Sequence, residues 1–212
     1  EGEYGSLVKH LGGANIEVDP ESSIRINVCS INYIEVDATP MTEEDEEELK
    51  ELKEHEASGD PNAKRVVEKD NGEVVYQYVP IKDAVGQISD FCNIVKKGED
   101  NIAENALTPK ERSALEDAIY AVFDDKGITM NPESLYETIE EEGVLAKTKK
   151  VKKDEPTLSD IYEKLIKKQQ EDGDEVAIEL IHSLKPFLRD GSSPIFDGQT
   201  NLGRNMSQNF DD

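Results

Sequence analysis

IKDAVGQISDFCNIVKKG, residues 81–98, carries the helical pattern on which the expected fold depends. Its apolar residues recur at intervals of three and four, at Ile81, Val85, Ile88, Cys92 and Val95. This spacing places them on one side of an α-helix, where Cys92 is interpreted as a small core residue. Gly98 is expected to end the helix, because glycine readily adopts the left-handed cap conformation. The segment therefore predicts an amphipathic helix with a buried apolar face.

Four more helices are predicted between residues 99 and 191. The first of them begins at Thr108, an N-cap that is followed by Pro109 at the first helical position and by Glu111 of a capping box, and it ends at Gly127. The others are predicted from Asn131 to near Gly143, from Pro156-Thr157-Leu158-Ser159-Asp160 to Gly173, and from there to Pro186. Five such helices are enough to bury a core of their own.

Residues 64–79 predict a β-hairpin. Two runs of strand-forming residues, Arg65–Glu68 and Glu73–Tyr78, flank Asp70-Asn71-Gly72. Asn-Gly permits the positive φ angles of a tight type I′ turn, whose twist matches that of paired strands. The expected fold class is therefore mainly α, a helical bundle of about five helices with a small β part.

The first 34 residues predict the edge of an α/β unit. A short helix containing Leu7, Val8 and Leu11 is expected before Gly12-Gly13, and the alternating patterns at residues 15–18 and 24–28 predict strands.

An acidic segment occupies residues 41–62. Thr42 and Asp45 have the spacing of a capping box, and residues 42–60 hold ten acids and two lysines, a net charge of 2 − 10 = −8. Only Leu49 and Leu52 are available for packing. The segment is either an acidic docking helix for a basic partner or a solvated or partly disordered excursion, and charge runs of this kind more often belong to the second class.

A basic segment follows much later. Residues 147–153 contain five lysines and no acid. They are interpreted as an exposed linker or as a docking patch for an acidic surface, such as residues 43–48 of the same chain.

The overall composition excludes several classes of partner. The formal net charge is −24 and the pI is about 4.4, which argues against binding to nucleic acid or to anionic membranes. No apolar run is long enough to span a membrane. Two cysteines are too few for a disulfide framework, and the three histidines (His10, His55 and His182) show no zinc spacing and are interpreted as surface or structural residues.

The sequence contains no catalytic pattern of its own. No lysine follows a glycine, so a phosphate-binding loop is absent, and no apolar strand ends in an Asp-Glu pair of the Walker B kind. Nucleophile triads and dinucleotide fingerprints are also absent.

Several short motifs occur in a recognisable order. They are Glu1-Gly2-Glu3-Tyr4, Leu11-Gly12-Gly13, Ile26-Asn27, Leu107-Thr108-Pro109-x-Glu111, Pro156-Thr157-Leu158 and Phe196-Asp197-Gly198-Gln199-Thr200-Asn201. In this order they resemble the conjugative-transfer ATPases that drive type IV secretion, a branch of the HerA/FtsK-like P-loop motors. Residues 34–78 are longer than the usual connection in that family and resemble an insertion.

The resemblance implies a piece of a larger ATPase, and a chain that begins with Glu1 suits that interpretation. It implies that residues 1–40 are the edge of a RecA-like core, 41–80 a charged insertion with a hairpin, 81–191 an inserted helical domain, and 192–212 a return segment.

The same resemblance implies functional roles. In the complete motor Glu3 would lie near the nucleotide and act as a catalytic carboxylate, while ATP and Mg²⁺ would bind elsewhere in the parent protein, and this chain alone would hold neither. Thr200 and Asn201 would fix the return of the chain.

The implied partners are other subunits of the ATPase and proteins of the secretion channel, at the cytoplasmic face of the cell membrane, without direct contact to nucleic acid or insertion into the membrane. The alternative function is a stand-alone acidic adaptor that binds a basic protein through Glu43–Glu48.

Overall fold

The structure is a computed structural model that describes residues 24–98, 103–141, 147–172 and 177–201. The expected helix near Leu7, the strand at residues 15–18, and Glu3 and His10 lie outside the described residues.

The described chain is mainly α with a small β part, as the sequence predicts. In chain order its helices and strands are β1 (Ile34–Asp37), α1 (Glu43–Ala57), β2 (Arg65–Glu68), β3 (Val74–Tyr78), α2 (Ile81–Lys97), α3 (Pro109–Asp125), β4 (Tyr136–Glu141), β5 (Lys147–Lys152), α4 (Leu158–Asp172) and α5 (Ile178–Leu184). Short 3₁₀ turns lie at Ala103–Asn105, Pro132–Leu135, Lys185–Phe187 and Pro194–Phe196.

The main core lies among α2, α3, α4 and α5. Helix α3 packs against α2 and α4, and α5 packs against α2 and α4. Side chains that are almost inaccessible to solvent fill the space between them, among them Ile88, Leu115, Ile119, Phe123, Leu158, Ile161, Leu165, Leu180 and Leu184. The predicted buried position of Cys92 is confirmed. Because the apolar residues of each helix recur on one face, packing these faces together removes them from water.

The predicted end of α2 and both predicted ends of α3 are confirmed, whereas the predicted ends at Gly143 and Gly173 lie outside the described residues. The Thr108 hydroxyl accepts a hydrogen bond from the Glu111 amide, and the Glu111 carboxylate accepts one from the Thr108 amide, which completes the capping box of α3. Helix α2 ends at Gly98, with a φ of 71°, and Gly127 follows α3 with a φ of 62°.

The β part near the amino end is an antiparallel sheet of three strands in the order β1-β3-β2. Helix α1 packs on β2 and buries Leu49, so residues 43–57 form an ordered helix whose capping box at Thr42 and Asp45 is as predicted.

The hairpin between β2 and β3 is confirmed, but its turn differs from the prediction. The Gly72 amide donates to the Lys69 carbonyl, and the Lys69 amide donates to the Glu73 carbonyl. The loop therefore contains three residues, in which Gly72 with a φ of 84° takes the left-handed position, rather than a two-residue type I′ turn.

The predicted helix from Asn131 to Gly143 is wrong. After a 3₁₀ turn that Asn131 caps, the chain extends into β4, which pairs with β5 in an antiparallel hairpin. Strand β4 pairs with a lysine-rich strand over its whole length, and Thr138 and Ile139 favour a strand. Leu135 and Ile139 are four residues apart, a spacing that puts them on one face in a helix and in a strand alike. The pairing with β5 determines that the segment is a strand.

The lysine-rich segment is consequently a strand rather than a linker. Lys150 forms an ion pair with Glu133, and Lys152 pairs with Glu155 at 2.6 Å. Among the described side chains, no ion pair joins this strand to residues 43–48 of the same chain.

The segment at residues 24–28 is not the strand that its alternation predicts. Within it only Arg25 forms a β-bridge, to Asn201. The sequence analysis did not predict β1 at Ile34–Asp37.

Candidate functional site

Three segments of the chain meet in one place, which we call the junction (residues 24–31, 152–160 and 188–201). Arg25 and Asn201 exchange both backbone hydrogen bonds, at 3.1 and 2.8 Å, and the Ile26 amide donates to the Ile195 carbonyl at 2.8 Å. The two outer segments of the described chain are therefore held side by side and antiparallel.

Asn27 binds all three segments together. It is 4% exposed. Its backbone amide donates to the Thr200 hydroxyl at 3.0 Å, and its side-chain amide donates to the Pro156 carbonyl at 2.9 Å. Its side-chain oxygen accepts from the Cys29 amide at 2.9 Å. The expected role of Thr200 and Asn201 in fixing the return of the chain agrees with these contacts.

Asp197 is the most deeply buried carboxylate of the junction, at 1% exposure. One oxygen accepts from the Ser159 amide in the first turn of α4 at 2.9 Å. The other accepts from the Arg189 amide at 2.7 Å and from the Ser159 hydroxyl. A negative charge at the start of a helix is stabilised by the free amides and the helix dipole, so Asp197 anchors the return segment to α4.

Glu155 connects the first segment to the hairpin. Its carboxylate is almost buried and accepts from the Ile31 amide at 2.9 Å and from the Lys152 ammonium at 2.6 Å. The Gln199 side chain donates to the Glu155 carbonyl at 2.6 Å. The polar groups of the junction are thus used to hold backbone in place.

The junction has the chemistry of a structural clamp. Its two buried carboxylates accept hydrogen bonds from the protein itself. The Ser159 hydroxyl donates to Asp197, with no histidine among its hydrogen-bonding partners, and the described histidines, His55 and His182, lie on the surface as expected. Among the described residues, no group of three or more His, Cys, Asp or Glu side chains is arranged to bind a metal ion.

A second buried polar cluster lies at the start of α3. The Lys96 ammonium, 5% exposed, contacts Glu111 at 2.8 Å and Glu179 at 3.7 Å. Burial raises the pKa of Glu111, but hydrogen bonds from Lys96 and Thr108 outweigh this effect and leave the pKa below its usual value. The cluster fastens α2 to the capping box of α3, a motif of the family resemblance.

The thiols of Cys29 and Cys92 are buried. Burial raises the pKa of Cys92 to about 12, and burial together with the nearby Cys92, Asp160, Asp197 and Glu155 raises the pKa of Cys29 further. A thiol held in its protonated form is a poor nucleophile and a poor metal ligand.

The structure describes some of the predicted site residues and not others. Thr200 and Asn201 lie at the junction, beside Asn27 and Pro156 from two other motifs, whereas Glu3 lies outside the described residues. No role was predicted for Asp197 or Glu155 from the sequence. Asp197 lies inside the motif Phe196–Asn201, and Glu155 directly precedes the motif Pro156-Thr157-Leu158. Their position at these motifs was the only feature of the sequence that could have indicated a role for them.

Comparisons with protein-family models, with curated proteins and with solved structures found no match for this chain. Within the described ranges, no helix is long and apolar enough to cross a membrane.

The buried position of Asp197 predicts a large effect of a small substitution. Asp197→Asn removes the charge and one acceptor, so backbone amides at Ser159 or Arg189 lose their partner. We expect the free energy of unfolding to fall by about 1–3 kcal/mol, measured by urea denaturation. Asp190→Asn, at an exposed position in the same segment, should leave stability almost unchanged. Equal effects of the two substitutions would contradict the anchoring role.

Proposed function

We propose that this chain is the inserted helical domain of a conjugation ATPase, together with the edges of its RecA-like core. The observation that carries the proposal is the antiparallel contact between Arg25 and Asn201. A domain inserted into a host needs its first and last residues close together, because both continue into the same structure. Ile26-Asn27 and the return motif Phe196-Asp197-Gly198-Gln199-Thr200-Asn201, two motifs of the resemblance, lie in the segments that meet here.

The proposed domain has a single apolar core that is connected to the junction. Four helices share one apolar core, and buried hydrogen bonds fasten that core to the junction. Movement of the parent core would therefore be transmitted to the whole helical domain through residues 24–31 and 194–201. Such a domain suits communication between subunits or contact with another protein.

The parent protein in this proposal hydrolyses ATP with Mg²⁺ and drives conjugative transfer through a type IV secretion channel. Glu3 would act near the nucleotide only in that complete motor. The partners would be neighbouring ATPase subunits and channel proteins, at the cytoplasmic face of the cell membrane.

The proposal predicts that this chain alone does not bind nucleotide, whereas its parent does. Calorimetric titration with ATP and Mg²⁺ should give no binding tighter than about millimolar, because the chain lacks a phosphate-binding loop. The coding sequence upstream of Glu1 should contain Gly-x-x-x-x-Gly-Lys-Ser/Thr. Micromolar ATP binding by the isolated chain, or an upstream sequence without that motif, would contradict the proposal.

A second candidate function is an acidic adaptor, and the exposed face of α1 favours it. All of the acids between Glu43 and Glu48 are exposed or half-exposed, and none of them forms an ion pair with a described residue. Leu49 holds α1 against β2, so the five exposed glutamates between Glu43 and Glu48 are carried on an ordered helix, whereas Asp45 caps its start. A basic partner would meet a preformed acidic surface.

The adaptor function predicts localised binding of a basic probe. In a nuclear magnetic resonance titration with an oligolysine peptide, shift changes should concentrate on α1, and Glu47→Lys/Glu51→Lys should weaken binding about tenfold through the lost attraction. Glu104→Lys/Asp190→Lys changes the net charge equally at exposed positions elsewhere and should weaken binding much less. Shift changes spread over the acidic surface, or equal effects of both pairs, would contradict this function.

A further inference from the structure

An open apolar groove lies between the sheet and the helices. It has a volume of about 680 Å³ and is formed where β3 ends, α2 begins and α3 ends. Its apolar lining includes Tyr78, Pro80, Ile81, Tyr120, Phe123 and Met130. Pockets of this size and character are typical of binding sites.

The groove has a fixed floor. The Val79 amide donates to the Met130 carbonyl at 2.8 Å, which ties the end of β3 to the segment after α3. Val79 and Phe123 below the surface are almost fully buried. A preformed groove costs less conformational entropy on binding than one that must be assembled.

Tyr120 projects from α3 at the edge of the groove and is 44% exposed. The Tyr78 ring also lines the groove, with the Lys64 ammonium 5.3 Å and the Tyr76 ring 5.9 Å from its centre. Tyr120 offers a flat apolar ring and a polar hydroxyl group. Tyrosine is enriched at protein interfaces because it combines these two properties with little conformational freedom.

The charged residues of the lining are Lys82, Asp83 and Asp124. Asp83 and Asp124 are exposed, and neither forms an ion pair within the described ranges. By contrast, Asp117 and Asp125 of α3 pair with Lys168 and Lys164 at 2.8 and 2.7 Å. The lining therefore offers two carboxylates that have no ion pair in the described ranges, beside Lys82, in a chain whose formal net charge is −24.

The backbone around the groove does not offer an edge for strand addition. Strand β3 is the central strand of its sheet and pairs with β1 and β2 on its two sides. A bound segment would be held by side chains in the groove, with its charges matched to the two carboxylates.

We propose that this groove binds a short segment of a partner protein that carries an aromatic or aliphatic anchor residue next to lysine or arginine. The anchor occupies the apolar space between Tyr78 and Tyr120, and the basic side chain pairs with Asp83 or Asp124. This inference rests on the protein-interaction role in the proposed function, and it names the surface and the chemistry of the partner.

The test uses a library of random peptides displayed on phage and selected on the full chain. Counter-selection on Tyr120→Ser removes peptides that bind elsewhere, and Tyr120 is exposed enough for that variant to fold. We expect the enriched peptides to contain an apolar residue adjacent to lysine or arginine. When such a peptide is added to the wild-type chain, the amide shift changes of the chain should cluster at residues 78–83, 120–124 and 128–130.

Substitutions then distinguish binding in the groove from binding to the acidic face of α1. Tyr120→Ser should weaken a selected peptide about tenfold or more, and Asp83→Lys/Asp124→Lys should weaken it by a similar factor, more strongly at low salt. The matched controls are Ile94→Ser, at an exposed apolar position on α2, and Glu47→Lys/Glu51→Lys on α1. Both should stay within about twofold of wild type, since neither lines the groove.

Four outcomes of the peptide measurements would overturn the inference. They are the absence of enriched peptides, enrichment without basic residues, loss of binding in the α1 variant instead of the groove variants, and shift changes elsewhere. Concentration-dependent self-association that Tyr120→Ser abolishes would identify a second copy of this chain as the occupant, and would also overturn it. None of these measurements involves nucleotide, so failure here leaves the motor-domain proposal standing, whereas micromolar ATP binding would overturn that proposal and leave peptide binding in the groove to be judged by its own measurements.

Discussion

The buried carboxylate of Asp197 is the constraint on which the rest of the structure depends. A charge at 1% exposure is tolerated only when hydrogen bonds replace its lost hydration. Here they come from the first turn of α4 and from the Arg189 amide after α5. These bonds fix the place where the return segment lies, so that Phe196 packs edge-on against Phe91 of α2, with ring centres 5.2 Å apart.

From that position the return segment also holds the first described segment. Thr200 accepts from the Asn27 amide, and Asn201 pairs with Arg25. Cys29 and Ile31 can then enter the core beside α4, with the Ile31 amide bound by Glu155. A few buried polar side chains thus determine how the apolar core of the helices is connected to the residues on either side, and this connection underlies the proposed role as an inserted domain.

The elements that were predicted correctly from the sequence are those stabilised by local interactions. Helices α2 and α3 follow from apolar spacing, from the capping box of Thr108 and Glu111, and from glycines at their ends. The hairpin of β4 and β5 was missed because its strands are stabilised by pairing with each other. A segment whose apolar residues are only Leu135, Tyr136 and Ile139 satisfies a helical pattern equally well.

The junction could not be predicted from the sequence. Any two of Asn27, Glu155 and Asp197 are more than 40 residues apart, and nothing in their local sequence shows that they meet. The groove beside Tyr120 likewise depends on how the sheet and the helices pack.

The most direct test of the central claim is a disulfide between the two outer segments. Paired residues of an antiparallel bridge that exchange hydrogen bonds have Cα atoms about 5.5 Å apart, within the range that a disulfide spans. Native Cys29 and Cys92 are buried and will not compete. In Arg25→Cys/Asn201→Cys, mild oxidation of the folded chain should form the cross-link nearly completely. Cross-linking no faster than in Arg25→Cys/Glu104→Cys, whose second position lies outside the junction, would contradict the account.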